Sequence, residues 1–130
     1  MTDLIEVKTA DLVGEQLAWA VGKAEGLDVR LAPPIYGNPW RVFVRYTGEV
    51  TIRDVRFDPH ENWAIGGPLL DKHNGSAQHF HGLAEGASYS GGPSGADAWS
   101  YGPTALVAFF RGLVHYKLGN TVQVPKELMP

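Results

Sequence analysis

Residues 102–118 read GPTALVAFFRGLVHYKL, and this stretch constrains the fold more than any other. Leu106, Val107, Phe109, Phe110, Leu113, Val114 and Leu118 cover a wide arc of a helix, and a helix apolar over so much of its circumference belongs at the centre of a core. Pro103 suits the first helical position, where its missing N–H costs nothing. Gly119-Asn120 ends the helix, with Lys117 placed favourably against the negative end of its dipole.

A second helix is predicted between Val13 and Ala24. Leu17, Ala20, Val21 and Ala24 fall at i, i+3, i+4 and i+7, which makes one face. Thr9 or Asp11 is expected to cap it, and Gly26 followed by Leu27 reads as a Schellman stop. Leu4, Ile5 and Val7 predict a short strand before it. Residues 32–40 (APPIYGNPW) hold three prolines and a Gly-Asn pair and read as a loop. Arg41–Tyr46 and Val50–Phe57 carry β-branched and aromatic residues around a Thr-Gly-Glu turn, which predicts a hairpin. The alternation shifts phase before Val55, so a bulge is expected near Arg53-Asp54. Thr121–Val124 closes the chain as a strand, with Pro125 pointing to an edge position.

The stretch DPHENWAIGGPLL, residues 58–70, has Asp58, Pro59 and Glu61 at the spacing of a capping box. A short helical turn is expected to begin there, end near Trp63 and be stopped by Gly66-Gly67-Pro68. Seven of the 16 glycines lie between Gly75 and Gly102, so residues 74–101 read as an irregular, Gly-rich segment. His79-Phe80-His81 is a candidate strand fragment inside it. The expected class is α+β: a small mixed or antiparallel sheet with two main helices packed on it, in a single domain over residues 1–130.

Composition narrows the function classes. With no cysteine among 130 residues, disulfides, iron–sulfur clusters and thiolate zinc sites are excluded. A net charge of −3 argues against non-specific nucleic-acid binding, which runs on Lys and Arg against phosphate. The N-terminus MTDLIEVKTADL lacks the apolar run of a signal peptide, and no stretch reaches the length of a membrane span. A cytoplasmic protein, not membrane-bound and with no cofactor, is expected.

Three blocks carry a resemblance: LVGEQLAWAVGKAEG (12–26), NWAIGGPLL (62–70) and GPTALVAFFRGLVHYKLGNTVQVPKEL (102–128). In order and spacing they resemble the NinX-like family of small bacteriophage and prophage proteins. Its members typically show a Leu-x-x-Ala-Val helix, a Trp-Ala-x-Gly-Gly-Pro turn, and Gly-Pro-Thr-x-Leu followed by an Arg. The resemblance implies a phage or prophage origin and a location in the cytoplasm of the infected or lysogenic host. It implies no chemistry.

The candidate site residues each have a bland reading beside a functional one. Trp63 with Gly66, Gly67 and Pro68 offers a stacking surface beside an approachable backbone, but equally a tight corner with its Trp plugged into the core. The core reading is preferred. Arg111, at the family's Arg position, suits a carboxylate or phosphate, or an internal Asp or Glu; the internal pair is preferred. Thr104 is a first-turn helix residue at a terminus that favours anions. His79 and His81 have the spacing to share one metal, with no further motif to support it. Arg41, Arg45, Arg53 and Arg56 on the hairpin form a candidate nucleic-acid strip or a set of ion pairs, and the ion pairs are preferred. No catalytic constellation assembles. The expected role is a non-enzymatic accessory protein that binds a host or phage protein. The alternatives are a small-ligand or metal-dependent enzyme with a pocket near Trp63 and Arg111, and nucleic-acid binding by the hairpin. A homo-oligomer stays open.

Overall fold

The computed structural model describes residues 3–129. Its elements run β1 (Leu4–Lys8), α1 (Gly14–Ala24), β2 (Val29–Ala32), β3 (Arg41–Thr47), β4 (Ile52–Arg56), α2 (Trp63–Lys72), β5 (Ser76–His79), β6 (Tyr89–Gly92), β7 (Ser100–Gly102), α3 (Ala105–Leu118) and β8 (Thr121–Pro125). The class is α+β and every ladder is antiparallel. The strands divide into three small sheets, ordered β1-β8, β2-β3-β4 and β5-β6-β7.

As its sequence requires, α3 is the axis of the molecule. Phe109, Phe110, Leu113 and Val114 are fully buried. The helix packs on α1, on the β5-β6-β7 sheet and, less extensively, on α2 and β8. Thr104 is its N-cap, accepting from the Val107 N–H at 3.1 Å, so Pro103 stands just outside the helix and not at its first position. Gly119 ends it with φ of +94°.

The first helix runs from Gly14 and stops where expected. Leu27 N–H reaches the Gly22 carbonyl and Gly26 N–H the Lys23 carbonyl, the bond pair of a Schellman motif, with Gly26 at φ +71°. Its N-cap is Val13, which supplies no side-chain bond. Thr9 does not cap it. The Thr9 hydroxyl donates instead to the Gly119 carbonyl at 2.6 Å, fastening the chain to the end of α3. Glu15, in the first turn, accepts from Val42 N–H and from both terminal nitrogens of Arg56, which locks α1 to the second sheet.

The hairpin forms in one unbroken register, Val44 opposite Val55 and Thr47 opposite Ile52, so the expected bulge is absent. The phase shift has a simpler cause. Val42 and Val44 are buried on one face with Phe57 continuing it, while Ile52 is exposed and Val50 lies exposed in the turn. Val29–Ala32, overlapping the start of the expected loop, adds a third strand.

The largest departure lies in residues 58–102. The Asp58 box does not start a helix. Its carbonyl instead accepts from Glu61 and Asn62 N–H in a turn, and Asn62 caps α2 by accepting from Ala64 N–H at 3.0 Å. Gly66-Gly67-Pro68 then lies inside α2 and stops nothing. Gly66 is where α2 meets α3: a Cβ there would sit 3.0 Å from Leu106 and 3.1 Å from Phe110, and closer still to the Pro59 carbonyl. The C-terminal end of α2 is tied to α1, with His73 Nε2 3.0 Å from the Glu25 carboxylate.

The Gly-rich segment is ordered as the third sheet. β6, sequence YSGG, is its central strand and is largely buried against α3. A Cβ on Gly91 would lie 2.6 Å from the Ser76 carbonyl and 3.0 Å from the Phe109 backbone nitrogen. Gly112 on the helix has the reciprocal constraint, since a Cβ there would lie 2.5 Å from the Gly91 carbonyl oxygen. The glycines therefore let a helix backbone and a strand backbone touch.

Candidate functional site

Arg111 lies on α3 between Phe110 and Gly112, only 8% exposed. Its Nε donates to the Leu12 carbonyl at 2.9 Å and its Nη1 to the Tyr101 carbonyl at 2.9 Å. The expected Asp or Glu partner is not there; among the described residues no carboxylate pairs with this guanidinium, and two backbone carbonyls fix it instead. Its Nη2 makes no hydrogen bond to a described residue. Burial holds the pKa below the usual arginine value, with the charge of Asp11 acting in the opposite direction. Asp11 offsets part of that desolvation from a distance, and no carboxylate of a described residue pairs with the guanidinium directly.

The residual exposure of Arg111 opens onto a cleft of ≈ 660 Å³. One wall is Lys8–Ala10 with Asn120 and Thr121, and the other is Ala98–Tyr101 with Gly86 and Ala87. His115, one helical turn after Arg111, lines it as well, on the same face of α3. The first wall is held by Thr9, whose N–H also donates to the Asn120 carbonyl at 2.8 Å. His115 Nε2 lies 2.6 Å from Asn120 Oδ1. On the second wall, Trp99 rests against Gly92, where a Cβ would be 2.9 Å from the indole Cδ1, yet the residue is 40% exposed. The lining holds Lys8, Arg111 and His115 and no Asp or Glu. In a chain of net charge −3 this is a local reversal of sign.

Trp63 and Thr104 come together elsewhere, in a depression of ≈ 300 Å³ shared with His60, Glu61 and Ala105–Val107. Trp63 is 58% exposed at the start of α2, so it does not plug the core. Gly67 lies beneath it, 3.8 Å from the indole Cε3 if given a Cβ, while Gly66 faces inward and Pro68 is exposed. Arg111 lines the other cleft, so the set read from sequence divides into two places. His60, buried with its Nδ1 unpartnered, has its pKa lowered by desolvation.

The hairpin arginines are already engaged. Arg45 pairs with Asp54 at 2.8 Å, Arg56 with Glu15 at 2.6 Å, Arg53 stacks on Tyr46 and Arg41 on Phe43. His79 packs edge-on against Tyr89, and no group of three His, Cys, Asp or Glu among the described residues is placed to hold a metal. No helix among them is long and apolar enough to cross a membrane.

The sequence model described as Bacteriophage P22, NinX matches residues 8–114. The chain belongs to the bacteriophage P22 NinX family. The match spans the hairpin and the Gly-rich sheet as well as the first two blocks that suggested it, and it ends within the third, inside α3. No curated protein matches the chain. The cleft residues that sequence reasoning missed are Lys8, Trp99 and Tyr101, which come from opposite ends of the chain. His115 carried a signal, its four-residue spacing from Arg111.

Proposed function

We propose that this NinX-family protein is a phage accessory binding protein, acting without catalysis, that takes an anionic group in the Arg111 cleft. The observation that carries this reading is Arg111, a residue only 8% exposed that makes no ion pair with a carboxylate of a described residue, bordering a cleft lined by Lys8 and His115 and by no Asp or Glu. Backbone carbonyls hold the guanidinium in place, so an incoming anion meets an ordered donor and loses little entropy in forming the bond. No nucleophile–base pair accompanies it, and no cofactor is needed. The test is titration of the full chain with sodium phosphate against sodium chloride at matched ionic strength, followed by isothermal calorimetry and thermal melting. Saturable phosphate binding weakened several-fold by Lys8→Gln supports the reading. No phosphate-specific heat and no rise in Tm would contradict it.

A protein partner is the second reading, favoured by Trp63. An exposed Trp on an ordered helix, beside exposed Ala64 and Pro68, has the character of a binding hot spot. The partner would be a host or phage protein met in the host cytoplasm. Affinity purification from infected cells tests it: a partner recovered with the native chain and lost with Trp63→Ser supports it, and an unchanged set of proteins refutes it.

A further inference from the structure

We infer that the cleft is built for a nucleoside monophosphate, its phosphate on Arg111 and its base on Trp99. The inference rests on the anion-binding reading and adds the chemical class of the ligand.

The charge count favours a phosphate monoester over a carboxylate. Lys8 and Arg111 place two cationic side chains in a lining that holds no Asp or Glu, with the charge of Asp11 reaching Arg111 from outside it. A phosphate monoester carries about −1.5 to −2 charges at neutral pH and offers three strong acceptor oxygens, where a carboxylate carries one charge and two. Neutral donors stand close by in Ser100 and Thr121, both in the lining.

The second half of the argument is Trp99. Its indole is braced against Gly92, the one residue type that leaves room for it there. It lines the cleft while 40% of the residue remains open. A braced indole with an open side loses little entropy when a flat ring stacks on it, and every nucleobase has such a ring. Tyr101, also in the lining and more than half exposed, extends the aromatic wall. Its carbonyl, not its ring, holds Arg111. The net charge of −3 works against a polymer of phosphates, so the ligand chemistry is that of a free mononucleotide.

The experiment is calorimetry on the full chain with four probes: inorganic phosphate, ribose 5-phosphate, adenosine 5′-monophosphate and uridine 5′-monophosphate. Base stacking on one aromatic side chain predicts that at least one nucleotide binds about tenfold more tightly than ribose 5-phosphate. Trp99→Leu, which keeps an apolar cover on Gly92, brings the nucleotide affinity down to that of ribose 5-phosphate. Tyr101→Ser, as a second variant, reduces it in part. Equal affinity for ribose 5-phosphate and both nucleotides overturns the inference while the anion reading stands. Binding of none of the four overturns both. Tight binding only of a 5′-phosphorylated oligonucleotide, included as a control, overturns the choice of a free mononucleotide.

Discussion

The two three-stranded sheets are built on opposite principles. In β2-β3-β4, side-chain volume makes the contact: Val29, Val42 and Val44 project into the core, with Phe57 beyond the end of β4. In β5-β6-β7, the absence of side chains makes it, because Gly91 and Gly92 bring the strand against α3 backbone to backbone. The first sheet is held by burial of methyl groups. The second is held by a fit that one added methyl group disrupts. Glycine in a strand is entropically costly, and here the close approach to α3 is what it provides in return.

The comparison is open to direct attack. Gly91→Ala adds one carbon where it meets the Ser76 carbonyl and the Phe109 backbone, neither of which can swing aside, so a loss of about 3 kcal/mol or more is expected in urea unfolding. Val42→Ala removes two carbons from the other sheet and should cost about 2 kcal/mol by the same measurement. A Gly91→Ala variant as stable as the parent would end the distinction between the sheets. Glu15→Gln weakens the bidentate link between α1 and the hairpin sheet and should cost about 2 kcal/mol, with little change at β6 in hydrogen exchange. Equal loosening of both sheets would show that they are one cooperative unit.

His60, buried in the turn between β4 and α2, sets a pH dependence. Burial lowers its folded pKa below the 6.5 of a free imidazole. In the window between the lowered folded value and 6.5 the unfolded chain binds more protons than the folded one, so stability rises with pH there. The contribution is full above about pH 6.5 and falls as the pH drops towards the folded value. Melting curves between about pH 7.5 and 5 should show this slope, and His60→Asn should flatten it. The smallest effect belongs to the exposed edge of the hairpin sheet. Asp54 and Asp28 have lowered pKa values, chiefly from hydrogen bonds to Arg45 and Arg30. Their contribution is present above the ordinary Asp value of 3.8 and is lost as the pH falls through the folded values. It should shrink in high salt, because both pairs are exposed. A salt-independent loss would place these pairs in a drier setting than their exposure indicates.

What the sequence revealed followed from how local the cause was. The α3 helix, the hairpin and the Gly26 stop each rest on residues within one turn or one strand of each other. Gly66-Gly67-Pro68 misled because its local meaning, a stop, is overridden at Gly66 by the approach of Leu106 and Phe110 some 40 residues on. The glycine strand misled for the same reason: the partner that needs Gly91 is Phe109 on α3. Arg111 was visible as a site residue, but its partners were not. They are the carbonyls of Leu12 and Tyr101, and a carbonyl has no letter of its own in a sequence. Lys8 joins it where Thr9 pins the first strand's end to the end of α3, and Trp99 where its indole rests on Gly92 of β6.

The anion reading of the cleft is tested most directly by the side-chain N–H signal of Arg111 Nε in an ¹⁵N-correlated NMR spectrum under phosphate titration. That proton is held by the Leu12 carbonyl, which should keep it slow to exchange and visible. Phosphate is expected to shift it saturably, together with the Lys8 and Thr9 amides, while chloride at equal ionic strength leaves them in place. Shifts that fail to saturate, or that gather at the Trp63 depression and spare Arg111, would contradict the account.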